Sequence, residues 1–152
     1  MLPAKSLILA AGLTLFSTVA AVAADHQVQM LNKDSEGRTM QFEPAFLKVE
    51  PGDTVTFVPT SASHNSETVA DAIPEGAEGW KGGMNKEITV TLTEAGLYAF
   101  KCLPHFSMGM VGLIQVGDST DNLEAVESAK YPGKAKDRMA ELIEEMKAAQ
   151  AM

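Results

Sequence analysis

One cysteine among 152 residues excludes an internal disulfide, so no covalent staple helps this chain to fold. Basic residues are scarce too. Twelve Lys and Arg stand against 20 Asp and Glu, a formal charge of −8 with histidines neutral. Nucleic-acid binding needs a basic footprint, and this composition excludes it. Internal repeats and low-complexity tracts are missing. The apolar stretch from Leu7 to Phe16 is too short, and too rich in Ala, Ser and Thr, for a stable membrane span.

That stretch has another reading. Met1 to Ala24 carries Lys5 early, then the apolar run, then small residues ending "AVAAD". This is the pattern of a secretory signal, with cleavage after Ala23 or after Ala24 fitting equally well. No cysteine follows for a lipid anchor, and no Arg-Arg pair precedes the run. The expectation is a Sec-exported, periplasmic monomer with no membrane anchor in its mature form. Setting Lys5 aside leaves 11 basic against 20 acidic residues, or −9. About 128 residues remain, which suits one domain with a real core. In an oxidising compartment a lone cysteine is buried and inert, reactive, or held by a metal. Cys102 therefore needs a reason.

From Gln27 to about Gly117 the sequence reads as strands. "QVQML" alternates, with Val28 and Met30 on one face. "TVTFV" and "EITVTL" alternate likewise, and "GLYAF" and "MVGLIQV" are rich in β-branched and aromatic residues. Pro51-Gly52-Asp53, Gly82-Gly83 and Glu94-Ala95-Gly96 separate them as turns. Pro74 to Gly83 reads as a loop with room for one helical turn. Short strands at this spacing predict a mainly β sandwich over 25–118. After Asp118 the pattern changes. Asp121 is expected to cap a short helix bearing Leu123 and Val126 inward. Pro132-Gly133 breaks it. Ala135, Met139, Leu142, Met146 and Ala149 then mark one face of an amphipathic helix. The expectation for 119–152 is a helical tail packed on the sandwich.

The chemistry crowds into "KCLPHFSMGM". Cys102, His105 and Met110 are spaced C-x2-H-x4-M. Cys102 ends a strand, Pro104 restricts the turn that follows, Gly109 lets the chain swing round, and Met110 begins the next strand. A thiolate, an imidazole and a thioether then converge from one loop. One further in-plane ligand is missing. Only two other histidines exist. His64, in "SASHNSE" after a strand, is the natural one; His26, near the mature N-terminus, is expected to be solvated. Two imidazoles and a thiolate with a weak axial methionine form the ligand set of a type 1 copper site.

These residues, with His64-Asn65, "FEPAFLKVEPGDTVTFVPT" and "IPEGAEGWK", resemble the cupredoxins, and among them the pseudoazurin family. The helical tail fits that family better than plastocyanin, which shares the loop spacing. The resemblance covers nearly the whole chain beyond Gln27. It implies a Greek-key cupredoxin sandwich with two C-terminal helices. It implies one copper ion on His64, Cys102, His105 and Met110, with Met108 as a rival axial ligand that family spacing disfavours. It implies that Asn65 ties the two ligand loops and offers its backbone N–H to the Cys102 sulfur. Met40 would lie against the His105 ring. Lys81 and Lys101 would belong to a docking rim, thinner here because Ala62 stands where a lysine is usual. Trp80 is expected to pack in its loop.

The implied function is a one-electron carrier, not an enzyme. Its partners would be a c-type cytochrome donor and a denitrification enzyme such as nitrite reductase. Two other classes compete on the residues alone. Cys102 with a histidine base suits a nucleophilic hydrolase or transferase, but a thioether neighbour and no evident oxyanion hole weaken that reading. A zinc or copper-chaperone site is the third, and a thioether is a poor fourth ligand for zinc.

Overall fold

The computed structural model describes residues 22–152. The apolar run and most of the expected leader lie outside them. Eight strands make two four-stranded sheets. They are β1 (Asp25–Lys33), β2 (Thr39–Glu43), β3 (Phe46–Val49), β4 (Thr54–Val58), β5 (Glu67–Thr68), β6 (Ile88–Thr91), β7 (Gly96–Lys101) and β8 (Val111–Val116). Two helices follow, α1 (Leu123–Ser128) and α2 (Ala135–Gln150). The sheet orders are β2-β1-β4-β6 and β3-β8-β7-β5. Most pairs are antiparallel, but β1 runs parallel to β4 and β3 parallel to β8.

Alternation explains the first sheet. Val28, Met30, Val55 and Phe57 point inward and are fully buried, while their neighbours along β1 and β4 face outward. The second sheet is different. Every residue of β8 is buried, and so is all of β7 except Lys101. One face packs on the first sheet. The other lies under the helices, where Leu97, Ala99, Val111 and Leu113 join Val126, Met139, Leu142, Ile143 and Met146. A sheet covered on both faces needs a near-continuous apolar run, which "VGLIQV" supplies.

Between the sheets the core is aromatic. Phe100 meets Phe42 and Phe57 edge-on, with centroids 4.8 and 5.0 Å away. Gly112 sits opposite Phe100 on the neighbouring strand. A Cβ there would fall 2.1 Å from the ring, so only glycine leaves room. Trp80 does more than pack in its own loop. Its ring stacks on Phe57 at 5.4 Å and its indole N–H donates to the Ser66 hydroxyl at 3.0 Å, which closes the core toward the cluster of histidines.

Four local readings change. Asn122, not Asp121, stands at the start of α1, and its side chain is spent across the fold. Its amide accepts from the Leu97 N–H at 2.9 Å and donates to the Leu97 carbonyl at 2.8 Å, docking the helix on β7. Ile143, not Ala149, completes the buried face of α2, because the last turn runs past the sheet into solvent. Pro74 to Ala77 make a single turn without a helix. His26 is not free in solvent. It belongs to β1, and its Nε2 lies 2.9 Å from Asp53 Oδ2. No helix among the described residues is long and apolar enough to cross a membrane.

Candidate metal centre

Three loops meet at one end of the sandwich. The first follows β4 and carries His64 and Asn65. The second carries Gly82 to Asn85 and is fixed by Asn85 N–H donating to the His64 carbonyl at 2.8 Å. The third joins β7 to β8. Cys102 lies one residue past β7, and its N–H donates to the Met110 carbonyl at 3.0 Å. Pro104 is exposed at the turn that leads into a single 3₁₀ turn, Phe106–Met108. Gly109 ends that turn at φ 95°, a conformation that side-chain-bearing residues rarely adopt. Met110 then precedes β8 by one residue, its N–H donating to the His105 carbonyl at 3.2 Å. The loop thus closes on itself through Cys102, His105 and Met110.

Three donor atoms converge. His64 Nδ1 and His105 Nδ1 are 3.1 Å apart, and the Cys102 sulfur lies 3.6 Å from the first and 3.5 Å from the second. An ion at the centre of such a triangle stands about 2 Å from each corner, close to ordinary metal–nitrogen and metal–sulfur lengths. Two imidazole nitrogens and a thiolate are borderline-to-soft donors that suit copper in both of its oxidation states. His64 and Cys102 are buried and His105 is half-buried. The two candidate thioethers differ sharply in exposure. Met110 is 0% exposed and packs in the same cluster as Cys102; Met108 is 44% exposed.

The surroundings hold these donors in place. Asn65 Oδ1 accepts from the Leu103 N–H at 2.7 Å, and its Nδ2 donates to the Gly82 carbonyl and to Glu67, both at 3.1 Å. One buried amide therefore ties the three loops. Burial pushes the Cys102 thiol up, Glu67 adds to this, and the backbone amides of Asn65 and His105 pull the other way. A metal must displace that proton, which couples binding to pH. Burial first, and His105 second, hold the His64 imidazolium below its usual range, so the ring is readily neutral.

Asn32, at the end of β1, is a residue that sequence reasoning missed. Its Oδ1 lies 2.8 Å from His64 Nε2. A proton on Nε2 donates there, which leaves the Nδ1 lone pair aimed at the other two donors. Nothing in "MLNKD" signals this, because the partner is 32 residues away. Met40 packs half-buried against the cluster holding Cys102 and Met110, at φ 52°, a backbone position unusual for a residue other than Gly, Asn or Asp. Lys81 is exposed. Lys101 is largely engaged. Its side chain is 18% exposed, its ammonium lies 3.5 Å from Glu67, and it sits 4.7 Å over the Phe106 ring.

Residues 28–117 match the model of copper binding proteins of the plastocyanin/azurin family. The chain is 52% identical to a pseudoazurin of Paracoccus pantotrophus, covering 88% of this chain and 92% of that one.

The chain belongs to the pseudoazurins of this copper-binding family.

A putative pseudoazurin of Rhizobium leguminosarum bv. viciae is 50% identical over 88% of this chain and 87% of its own. Among solved structures, native pseudoazurin from Hyphomicrobium denitrificans superimposes with a TM-score of 0.76 at 49% identity, covering 80% of this chain and 97% of that one. The two-sheet cupredoxin fold and the copper cofactor follow from that membership. So does the class of activity. Pseudoazurins carry electrons between redox partners and are not enzymes, which removes the Cys102 nucleophile reading.

Proposed function

We propose that His64, Cys102 and His105 would hold one copper ion, with the Met110 thioether as the weaker fourth donor. The observation that carries this is the donor triangle, 3.1 to 3.6 Å on its edges, at a buried loop junction. The burial of Met110 and the exposure of Met108 support the choice of Met110 as that donor. The ion would supply a one-electron couple. The protein's part is rigidity. Asn65 and Asn32 fix the ligand loops and rings, so little has to move when the charge changes.

His105 is the ligand with an exposed edge, and Leu103, Pro104 and Met108 stand exposed around it. That apolar rim suits the small, transient interface of a redox encounter. Lys81 would add steering toward an acidic partner face. Lys101 would contribute less long-range charge, because Glu67 is beside it. By family resemblance the donor is a c-type cytochrome and the acceptor a denitrification enzyme such as nitrite reductase. The working compartment is the periplasm. There the chain would act as a monomer comprising the sandwich, 25–118, and the tail, 119–152, once the leader is removed.

Copper loading followed by absorption spectroscopy tests the site. The oxidised protein should be intensely coloured through thiolate-to-metal charge transfer. Cys102→Ser should lose that colour while keeping the fold. A serine variant as intensely coloured as the parent would remove Cys102 from the site.

A further inference from the structure

The sequence leaves two cleavage positions open, after Ala23 or after Ala24. A carboxylate 29 residues downstream separates them. Asp53 sits in the turn between β3 and β4 and is only 5% exposed. Its Oδ1 accepts from the Ala24 N–H at 2.8 Å. Its Oδ2 accepts from the Glu50 N–H at 3.0 Å and lies 2.9 Å from His26 Nε2. Three donors therefore converge on one buried carboxyl. They pull it down to about 2, the Ala24 amide contributing most. The group is an anion throughout the range in which proteins function. Among the described residues His26 is the one basic side chain within ion-pair distance of it.

Ala24 is held on its other side as well. Its carbonyl accepts from the Thr54 N–H at 3.0 Å, immediately before the parallel ladder begins with Asp25 opposite Thr54. Val22, Ala23 and Ala24 are all exposed, so hydrogen bonding and not burial marks where the chain joins the body: among the described residues Ala24 is bonded on both sides and Ala23 on neither.

We propose that the chain is processed between Ala23 and Ala24, and that the α-ammonium so created is the permanent partner of Asp53. Hydrolysis of that peptide bond gives Ala23 a carboxylate and Ala24 an amine. At neutral pH the amine binds a proton, so a neutral amide donor becomes a cation against a buried anion. Such charge-assisted bonds are roughly twice as strong as neutral ones. Cleavage one residue later would delete the donor to Oδ1 and the acceptor for Thr54 N–H, and so unmake bonds to a buried acceptor and a strand-opening donor. The mature terminus would thus be a structural part, docked across the β1–β4 ladder at the turn that precedes β4.

The pair makes stability depend on pH in a definite sense. An ammonium gaining a partner has its folded pKa raised above the ordinary range of about 7.7 to 8.0. Its stabilisation is fully present below that range and is lost as pH rises through the raised value. The titratable groups facing it are Asp25 and His26 on β1 and Glu50 and Asp53 in the turn. β6 packs beside β4, and the residue following it, Leu92, contributes backbone bonds only.

The inference rests on the export reading and not on the copper reading. The intact mass of the exported protein is the first test. A chain beginning at Ala24 is the expected result. A cut after Ala24 overturns the inference alone, whereas an uncut chain overturns it together with the export reading. The second test compares purified chains beginning at Ala24 and at Ala23, both with Asp53 intact. The shorter chain should unfold at higher temperature at pH 6, and the difference should close as pH rises past the ammonium titration. A difference independent of pH, or none at pH 6, would refute the ion pair. Asp53→Asn should abolish the pH-dependent part.

Discussion

Gly112→Ala adds one methyl group where the structure has no room for it. The backbone at Gly112 is ordinary strand, so the effect is one of space alone. The new carbon would lie 2.1, 2.5 and 2.7 Å from three atoms of the Phe100 ring. Carbon atoms prefer about 3.5–4.0 Å. The ring must therefore retreat by about 1.5 Å, or the two strands must part. Phe42 at 4.8 Å, Phe57 at 5.0 Å and Trp80 at 6.1 Å block the retreat. Overpacking of this kind costs about 1–3 kcal/mol, and complete loss of the phenyl group would cost about 3–5. A destabilisation of about 3 kcal/mol is expected, which lowers the melting temperature by about 10 °C in a domain of this size. The mechanism makes a sharper claim about the double variant. In Phe100→Ala the added methyl enters vacated space. Simple addition predicts a loss of about 7 kcal/mol, whereas the steric account predicts about 4, a coupling of about 3. Urea unfolding of all four proteins, followed by far-ultraviolet circular dichroism, measures it. A Gly112→Ala protein within about 0.5 kcal/mol of the parent, or an additive double variant, would refute the reasoning.

Other perturbations separate the roles proposed above. Met110→Gln should lower the reduction potential, because a harder amide oxygen favours the oxidised metal, and Met108→Gln should change it little. Voltammetry giving the larger drop for Met108 would reverse that assignment. Lys81→Glu should slow bimolecular electron transfer to an acidic-faced acceptor at low salt, and the slowing should fade as salt screens it. Replacing Lys101 and Glu67 together by Gln should slow it little, since the pair, 3.5 Å apart, carries no net charge to a distant partner. Stopped-flow traces over a salt series decide, and equal slowing by the two changes would mean that the net charge at Lys81 does not set the rate. Gln115 is fully buried with neither amide atom bonded to protein. Gln115→Met should stabilise the fold by about 1 kcal/mol in chemical denaturation, by removing two unmade hydrogen bonds without opening a cavity. A loss of stability there would mean that buried water satisfies the amide.

The sequence by itself determined the class of fold and the chemistry of its loop. Alternation in "QVQML", "TVTFV" and "EITVTL" forces one face inward, and "GLYAF" and "MVGLIQV" are legible by their β-branched and aromatic residues. The C-x2-H-x4-M run brings its own donors together, because a tight turn joins adjacent strands and no distant partner is required. Short-range rules failed where a residue answers to something far along the chain. β2 and β3 carry no clean alternation, and β5 is two residues long; each exists through its neighbours in a sheet. Asp121 looks like a helix cap, yet Asn122 takes that place because its amide is needed by Leu97, 25 residues away. His26 reads as a solvated terminus until the parallel pairing of β1 with β4 carries it to Asp53. The same is true at the metal centre. Tertiary structure alone decided that Asn32 orients His64 and that Glu67 takes up the charge of Lys101. It also decided that Met110 is sealed in the core while Met108 faces water. Local sequence specifies which groups a segment offers; only packing fixes which of them meet, and how much water remains between them.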